Sequence, residues 1–243
     1  MTYFDQGIKL MSQPPTNQKE DVLEGVIRFQ LSWNKNPLAD DICLETLELV
    51  RSDMLRQQLI GQSAERYQGY GFGNISQRSE QGFIISGTQT GHLTQLARQG
   101  WCEVTDCDPM TGKVSATGPV KPSSEAMSHA IYYQLDPAIN AVIHVHSPAM
   151  FNAASQLNLL ATAADIEYGT TEMVTALQQL FLSCRPLIAN EKDNSPNEKG
   201  NQPLLPHLAV MSGHEDGIIC CGSSLQQASQ KLTDILTLAN ALT

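Results

Sequence analysis

Two histidines stand two apart in an otherwise apolar run, INAVIHVHSP at 139–148. In a β-strand successive side chains alternate faces, so His144 and His146 project together while Ile143 and Val145 point the other way. Neutral imidazole is the commonest protein metal ligand, and two rings on one face are most of what a catalytic metal site needs. The same spacing also suits two polar residues on a half-exposed strand. The rest of the chain has to separate the two readings.

A third ligand is required to hold a metal well. The remaining histidines are His92, His129, His207 and His214. His214 sits in SGHEDG, at the end of one apolar run and just before another, where a loop can carry it over a neighbouring strand. It is not part of an HExxH helix, since Glu215 follows it directly and no second histidine lies at that spacing.

Glu125 opens a helical pattern that leads directly into the histidine strand, so its carboxylate can reach a metal there as general base or ligand. Taken singly, a carboxylate in a first turn more often serves the helix dipole. Ser123 and Ser124 precede that helix, where hydroxyls and free N–H groups make an anion site, although a plain N-cap uses the same residue types. The small-residue turns Gly73-Asn74 and Ser86-Gly87 can present further N–H donors. GYGFGN (69–74) is not a dinucleotide fingerprint, because its third glycine is misplaced and no clear strand precedes it.

The elements that must position these residues read as follows. Residues 1–20 are polar with two adjacent prolines and are expected to form a flexible tail. VLEGVIRFQLSW (22–33) and ICLETLELVRSDMLRQQLIG (42–61) carry apolar residues at helical spacing. Short strands follow in FGNISQR, GFIISG and WCEVTDCDPMTGKVSA, the last folding back around Asp108–Gly112. A helix over 122–136 precedes the histidine strand. Two more helices are expected near 149–157 and 171–183, and 190–203 is a polar loop. HLAVMSG and GIICCG are two short strands, and Ser224 to Gln227 give a capping-box pattern for a helix reaching Ala241. These elements predict a single α/β domain over 21–243 with a mixed sheet.

Composition limits the function classes. The 243 residues are 41% hydrophobic and 16% charged, with a formal net charge of −10. That charge argues against a nucleic-acid-binding face. No apolar run approaches the roughly 20 residues of a membrane span, and the N-terminus lacks a signal-peptide pattern, so a cytoplasmic protein is expected. The six cysteines form no C-x-x-C pair. They read as reduced and mostly buried thiols, with a metal site built on Cys102 and Cys107 a minor alternative.

GNISQR, IISG, KPSSE followed by His129, AVIHVHS, YGT and the late GHEDGII occur in one order along the chain. That order, over roughly 40–240, resembles the class II aldolase/adducin family. The resemblance implies a three-layer α/β/α sandwich around a central mixed, mainly antiparallel sheet, and a homotetramer. It implies Zn²⁺, or another divalent metal ion, on His144, His146 and His214, with Glu125 beside it in proton transfer. Gly73, Asn74, Ser86, Gly87, Ser123 and Ser124 match the positions that cradle substrate phosphate. His129, one helical turn beyond Glu125, either orients that carboxylate or packs in the core.

The activity implied is that of an aldolase-type lyase on a small sugar or sugar phosphate, cleaving a C–C bond through a metal-stabilised enediolate. A sugar-phosphate 4-epimerase, a dehydratase and a non-catalytic scaffold are the alternatives within the family. Two features depart from the family pattern. No tyrosine follows Tyr168, so the second proton donor is unassigned, with Asp165 and Tyr168 as the candidates. HED also stands where the family's enzymes have a glycine directly after the third histidine.

Overall fold

The structure is a computed structural model describing residues 25–190 and 208–242. In chain order its strands are β1 (Gln30–Asn34), β2 (Gly61–Gln62), β3 (Gly71–Phe72), β4 (Asn74–Arg78), β5 (Phe83–Ser86), β6 (Trp101–Asp108), β7 (Lys113–Thr117), β8 (Ala141–His146), β9 (Leu160–Ala161), β10 (Leu208–Val210) and β11 (Gly217–Gly222). The helices are α1 (Glu45–Arg56), α2 (Ala126–Leu135), α3 (Pro148–Ala153), α4 (Thr171–Asn190) and α5 (Leu225–Asn240).

Among the described residues, nine strands form one sheet in the order β1-β7-β6-β5-β4-β8-β11-β10-β9, and β2 pairs with β3 in a separate ribbon. The pairs β1–β7 and β9–β10 are parallel, and the remaining pairs in the sheet are antiparallel. Helices α1, α3 and α5 cover one face, burying Met54, Ile75, Ile143, Val145, Ile218 and Leu232. Helices α2 and α4 cover the other, over Ile85, Met127, Val142, Met173, Ile219 and Cys221. This is the expected α/β/α sandwich with a mixed, mainly antiparallel sheet.

The all-buried pattern of β8 follows from that layering, because a central strand under helices on both faces has no solvent side. Each fully buried aliphatic side chain there contributes about 1.5–3 kcal/mol. His144 and His146 lie on the same face as Val142, beneath the start of α2. Two elements differ from the sequence expectation. The helix expected over 22–33 does not form where it is described: 25–29 are irregular, and edge strand β1 begins at Gln30 with burial alternating residue by residue. Phe29, Leu31 and Trp33 recur at a period of two, and pairing with β7 overrides the helical spacing upstream. The helix expected over 42–61 stops at Arg56, and Gln58 takes φ 58° so that the chain can turn into β2.

The start of α5 differs in detail as well. Ser224 caps it by accepting from Gln227 N at 3.1 Å, but Gln227 Oε1 accepts from Ser223 N, one residue earlier than a capping box places it. The expected N-terminal tail and most of the 190–203 loop lie outside the described residues. No described helix is long and apolar enough to cross a membrane.

Candidate metal centre

β8 carries the site between two neighbours. Register places Asn74 of β4 opposite His144 on one side, and Ile219 and Gly217 of β11 opposite His144 and His146 on the other. The turn from β10 into β11 then folds His214 back over the strand: His214 N donates to Met211 O, and Gly217 N to His214 O, at 2.8 and 2.9 Å. The histidines 144, 146 and 214 are all buried, and each offers a ring nitrogen such that the three lie within 4.8 Å of one another.

The helix before β8 supplies the carboxylate. Glu125 caps the start of α2 and is 1% exposed. Its Oε2 lies 2.9 Å from His144 Nε2 and accepts from Asn74 Nδ2 at 2.9 Å, while Oε1 lies 3.3 Å from His214 Nδ1. The carboxylate therefore points into the histidine cluster rather than to solvent as a dipole partner would. Burial pushes the Glu125 carboxyl up, but the charges and hydrogen bonds of His144 and His214 outweigh it and hold it well below the usual carboxylate range.

The ring states favour metal binding. His144 Nδ1 lies 3.0 Å from the Ile218 carbonyl, an acceptor, so in the neutral ring that nitrogen carries the proton and Nε2 keeps its lone pair. In that form the lone pair faces a carboxylate oxygen at 2.9 Å, and either a proton or a shared metal ion satisfies both atoms. Burial, then His214 and His144, push His146 well below its usual range, which leaves it neutral and able to ligate. The donor set, three imidazoles beside one carboxylate, suits Zn²⁺ or a similar divalent ion.

His129 is fully buried. Its Nδ1 pairs with Ser76 Oγ at 2.7 Å, and Ser76 Oγ with Tyr133 OH at 2.7 Å. Glu125 takes its contacts from Asn74, His144 and His214, so an orienting bond from His129, one of the two roles left open for it, is not among those the carboxylate makes.

Five of the six expected phosphate-cradle residues, Gly73, Asn74, Gly87, Ser123 and Ser124, line one small cavity beside Glu125. Ser123 Oγ accepts from Glu125 N at 3.3 Å, which leaves its hydroxyl proton free to donate. Gly73 has φ +72°, and a Cβ there would sit 2.8 Å from Ile60 Cγ1 and 3.1 Å from His144 O. Ser86 is a different case: its hydroxyl accepts from Ile75 N and its carbonyl from Ser123 N, at 3.2 Å each. It braces the cradle from behind.

Of the two candidates for a second proton donor, Asp165 is exposed. Tyr168 stacks on the His214 ring at 4.4 Å, with its hydroxyl accepting from Val26 N. Cys102 and Cys107 do not join a metal cluster among the described residues; all six thiols are free, and burial pushes both of these up to about 12.

Sequence reasoning missed the wall around His146. Tyr67 meets that ring edge-on at 4.5 Å and Phe72 lies 5.5 Å from it. Tyr67 OH donates to Asp216 Oδ2 at 2.9 Å and accepts from Arg66. The HED departure was the available signal, since Asp216 is its last residue. Tyr67, Gln68 and Asp216 all hold positive φ, of 49°, 56° and 58°. Such backbone strain in non-glycine residues clusters at functional sites.

Residues 63–242 match the family described as "Class II Aldolase and Adducin N-terminal domain". A methylthioribulose-1-phosphate dehydratase from Pseudoalteromonas translucida (strain TAC 125) is 28% identical over 181 residues, covering 67% of this chain and 72% of that protein. Among solved structures, L-fuculose-1-phosphate aldolase from Thermus thermophilus aligns with a TM-score of 0.55 at 17% identity, covering 82% of this chain and 91% of its own. A sugar-phosphate aldolase from Thermotoga maritima aligns with a TM-score of 0.56 at 13% identity, covering 81% and 91%. At those identities the structural likeness speaks for the fold.

Proposed function

Because this chain belongs to the class II aldolase and adducin family, we propose that it is a metal-dependent lyase acting on a small sugar phosphate. The observation that carries this reading is the Glu125 carboxylate, buried and placed against two of three clustered histidines. A scaffold has no use for a desolvated charge held in that way, which is costly unless paired.

The histidines 144, 146 and 214 would hold the ion, and a bound divalent cation supplies Lewis-acid polarisation of substrate oxygens. The chain's own groups do the rest. The cradle of Gly73, Asn74, Gly87, Ser123 and Ser124 receives the phosphate with hydroxyl and backbone donors, fixing the sugar chain over the cluster. Glu125, ionised at neutral pH, takes the proton whose loss starts bond cleavage. Asn74 Nδ2, bonded to Glu125 Oε2, keeps that oxygen aimed while the other stays against His214.

In the aldolase reading the proton comes from a hydroxyl and a C–C bond breaks. In the second reading it comes from carbon and water leaves; the dehydratase relative favours this one. A panel of sugar phosphates followed by mass spectrometry separates them. Two smaller products report aldol cleavage, loss of water reports dehydration, and an isomer of unchanged mass reports epimerisation. No turnover on any member by the metal-loaded protein would sink the lyase reading. The assembly is a homotetramer on this reading, located in the cytoplasm, and light scattering that returns a monomer would argue against the shared assembly.

A further inference from the structure

One cation at the site has no part in the chemistry above. The Arg66 guanidinium lies over the faces of both Tyr67 and Phe72, 4.8 and 4.7 Å from their ring centroids. Those two rings are the ones that wall His146. Its side chain makes one hydrogen bond among the described residues, to Tyr67 OH, and no described carboxylate lies within ion-pairing distance of it. Asp216 reaches it only through the Tyr67 hydroxyl, which donates to that carboxylate and accepts from the guanidinium. The left-handed backbone at Tyr67 and Gln68 fixes this arrangement at a cost in strain. The result is a stacked, oriented guanidinium with most of its donors unspent, beside the middle histidine of the cluster.

The phosphate cradle has the opposite character. Every residue lining it is uncharged, and it meets the cluster on the Asn74–Glu125 side. Arg66 reaches the cluster from the His146 side. Gly71 and Gly73 of the cradle flank Phe72, on which Arg66 stacks, so a sugar chain with its phosphate in the cradle and its oxygens over the histidines would have its other end within the reach of the long Arg66 side chain.

We propose that Arg66 binds a second anionic group, a carboxylate or a second phosphate, at the far end of the substrate, so that the substrate class is a sugar phosphate charged at both ends. This rests on the reading of the cradle and cluster given above. A guanidinium fork held flat by two rings is suited to bidentate recognition of such a group. The strain at 67 and 68 and the aspartate of the HED segment then have a common purpose, holding that fork in place.

The test is calorimetric titration of the zinc-reconstituted protein with three probes of equal carbon count: 6-phosphogluconate, sorbitol 1,6-bisphosphate and sorbitol 6-phosphate. The wild type should bind one of the two doubly anionic probes about tenfold to a hundredfold tighter than sorbitol 6-phosphate. Which one it favours identifies the carboxylate or the second phosphate. Arg66→Met, a flexible apolar replacement that can still pack on both rings, should erase that preference and leave sorbitol 6-phosphate affinity unchanged. Arg66→Lys should retain part of it. Thermal melts of each variant check that the fold is intact. Equal binding of all three probes by the wild type, or a uniform loss in Arg66→Met, overturns the second anion site while leaving the cradle reading standing. Failure of all three probes to bind overturns both.

Discussion

Glu125 Oε2 sits 2.9 Å from His144 Nε2, while His144 Nδ1, at the far side of the ring, faces the Ile218 carbonyl. A carboxylate oxygen and a ring nitrogen buried at that distance need a proton or a metal ion between them. With three clustered histidines beside it, the same relationship suits a metal ion with the carboxylate as its charged partner.

Glu125→Gln keeps the size and hydrogen-bonding shape of the side chain and deletes its charge. If the carboxylate only served the dipole of α2, the change would cost about 0.3–1 kcal/mol of stability and leave turnover nearly intact. As the general base, its loss should cost about a hundredfold or more in kcat. The variant is expected to fold and to retain its metal. Steady-state kinetics on a substrate from the sugar-phosphate panel decide the matter, and near-parental turnover would return Glu125 to a structural role.

Gly73→Ala tests how closely the backbone is built around β8. The new methyl would meet Ile60 and the His144 carbonyl at a residue with φ +72°. A destabilisation of about 1–3 kcal/mol is expected from the backbone conformation alone. Chemical denaturation measures it, and a change far below that range would mean that the turn relaxes freely.

Stability should fall with acid, and His129 should carry part of that fall. Burial pushes its imidazole down to about 3 from 6.5, opposed by the Glu125 charge and aided by His144. Below about pH 6.5 the unfolded chain binds a proton that the folded chain refuses, so stability is lost as pH drops from there toward about 3. Glu125 adds to the loss at the acid end, because its carboxyl is held below 4.5 in the folded state and protonates there last. His146, also pushed down, retains a share of the slope in any His129 variant. Denaturation curves between pH 7 and pH 4 should be flatter for His129→Gln than for the wild type; identical slopes would contradict the assignment.

The HxH pair, the helix leading into it and the late histidine were legible in the sequence because each is a local pattern. An alternation of two fixes a shared face, and a serine pair before an apolar period fixes a helix start. The bond from Asn74 to Glu125 and the one from His144 to Ile218 were not legible. They depend on which strands lie side by side, and the residues joined are 51 and 74 positions apart. The strand at 30–34 escapes a local reading because its partner, β7, lies far along the chain, and an edge pairing leaves only Phe29, Leu31 and Trp33 as its trace. The Tyr67 wall was hidden for the same reason, although HED marked one end of it.

Elemental analysis of the protein purified without chelators bears most directly on the metal centre. One divalent ion per chain is expected, zinc or an ion of similar preference, with a strong loss in His146→Ala and recovery of the wild-type content on reconstitution after chelation. No bound ion either after purification or after reconstitution with Zn²⁺ would contradict the account, as would full occupancy in His146→Ala.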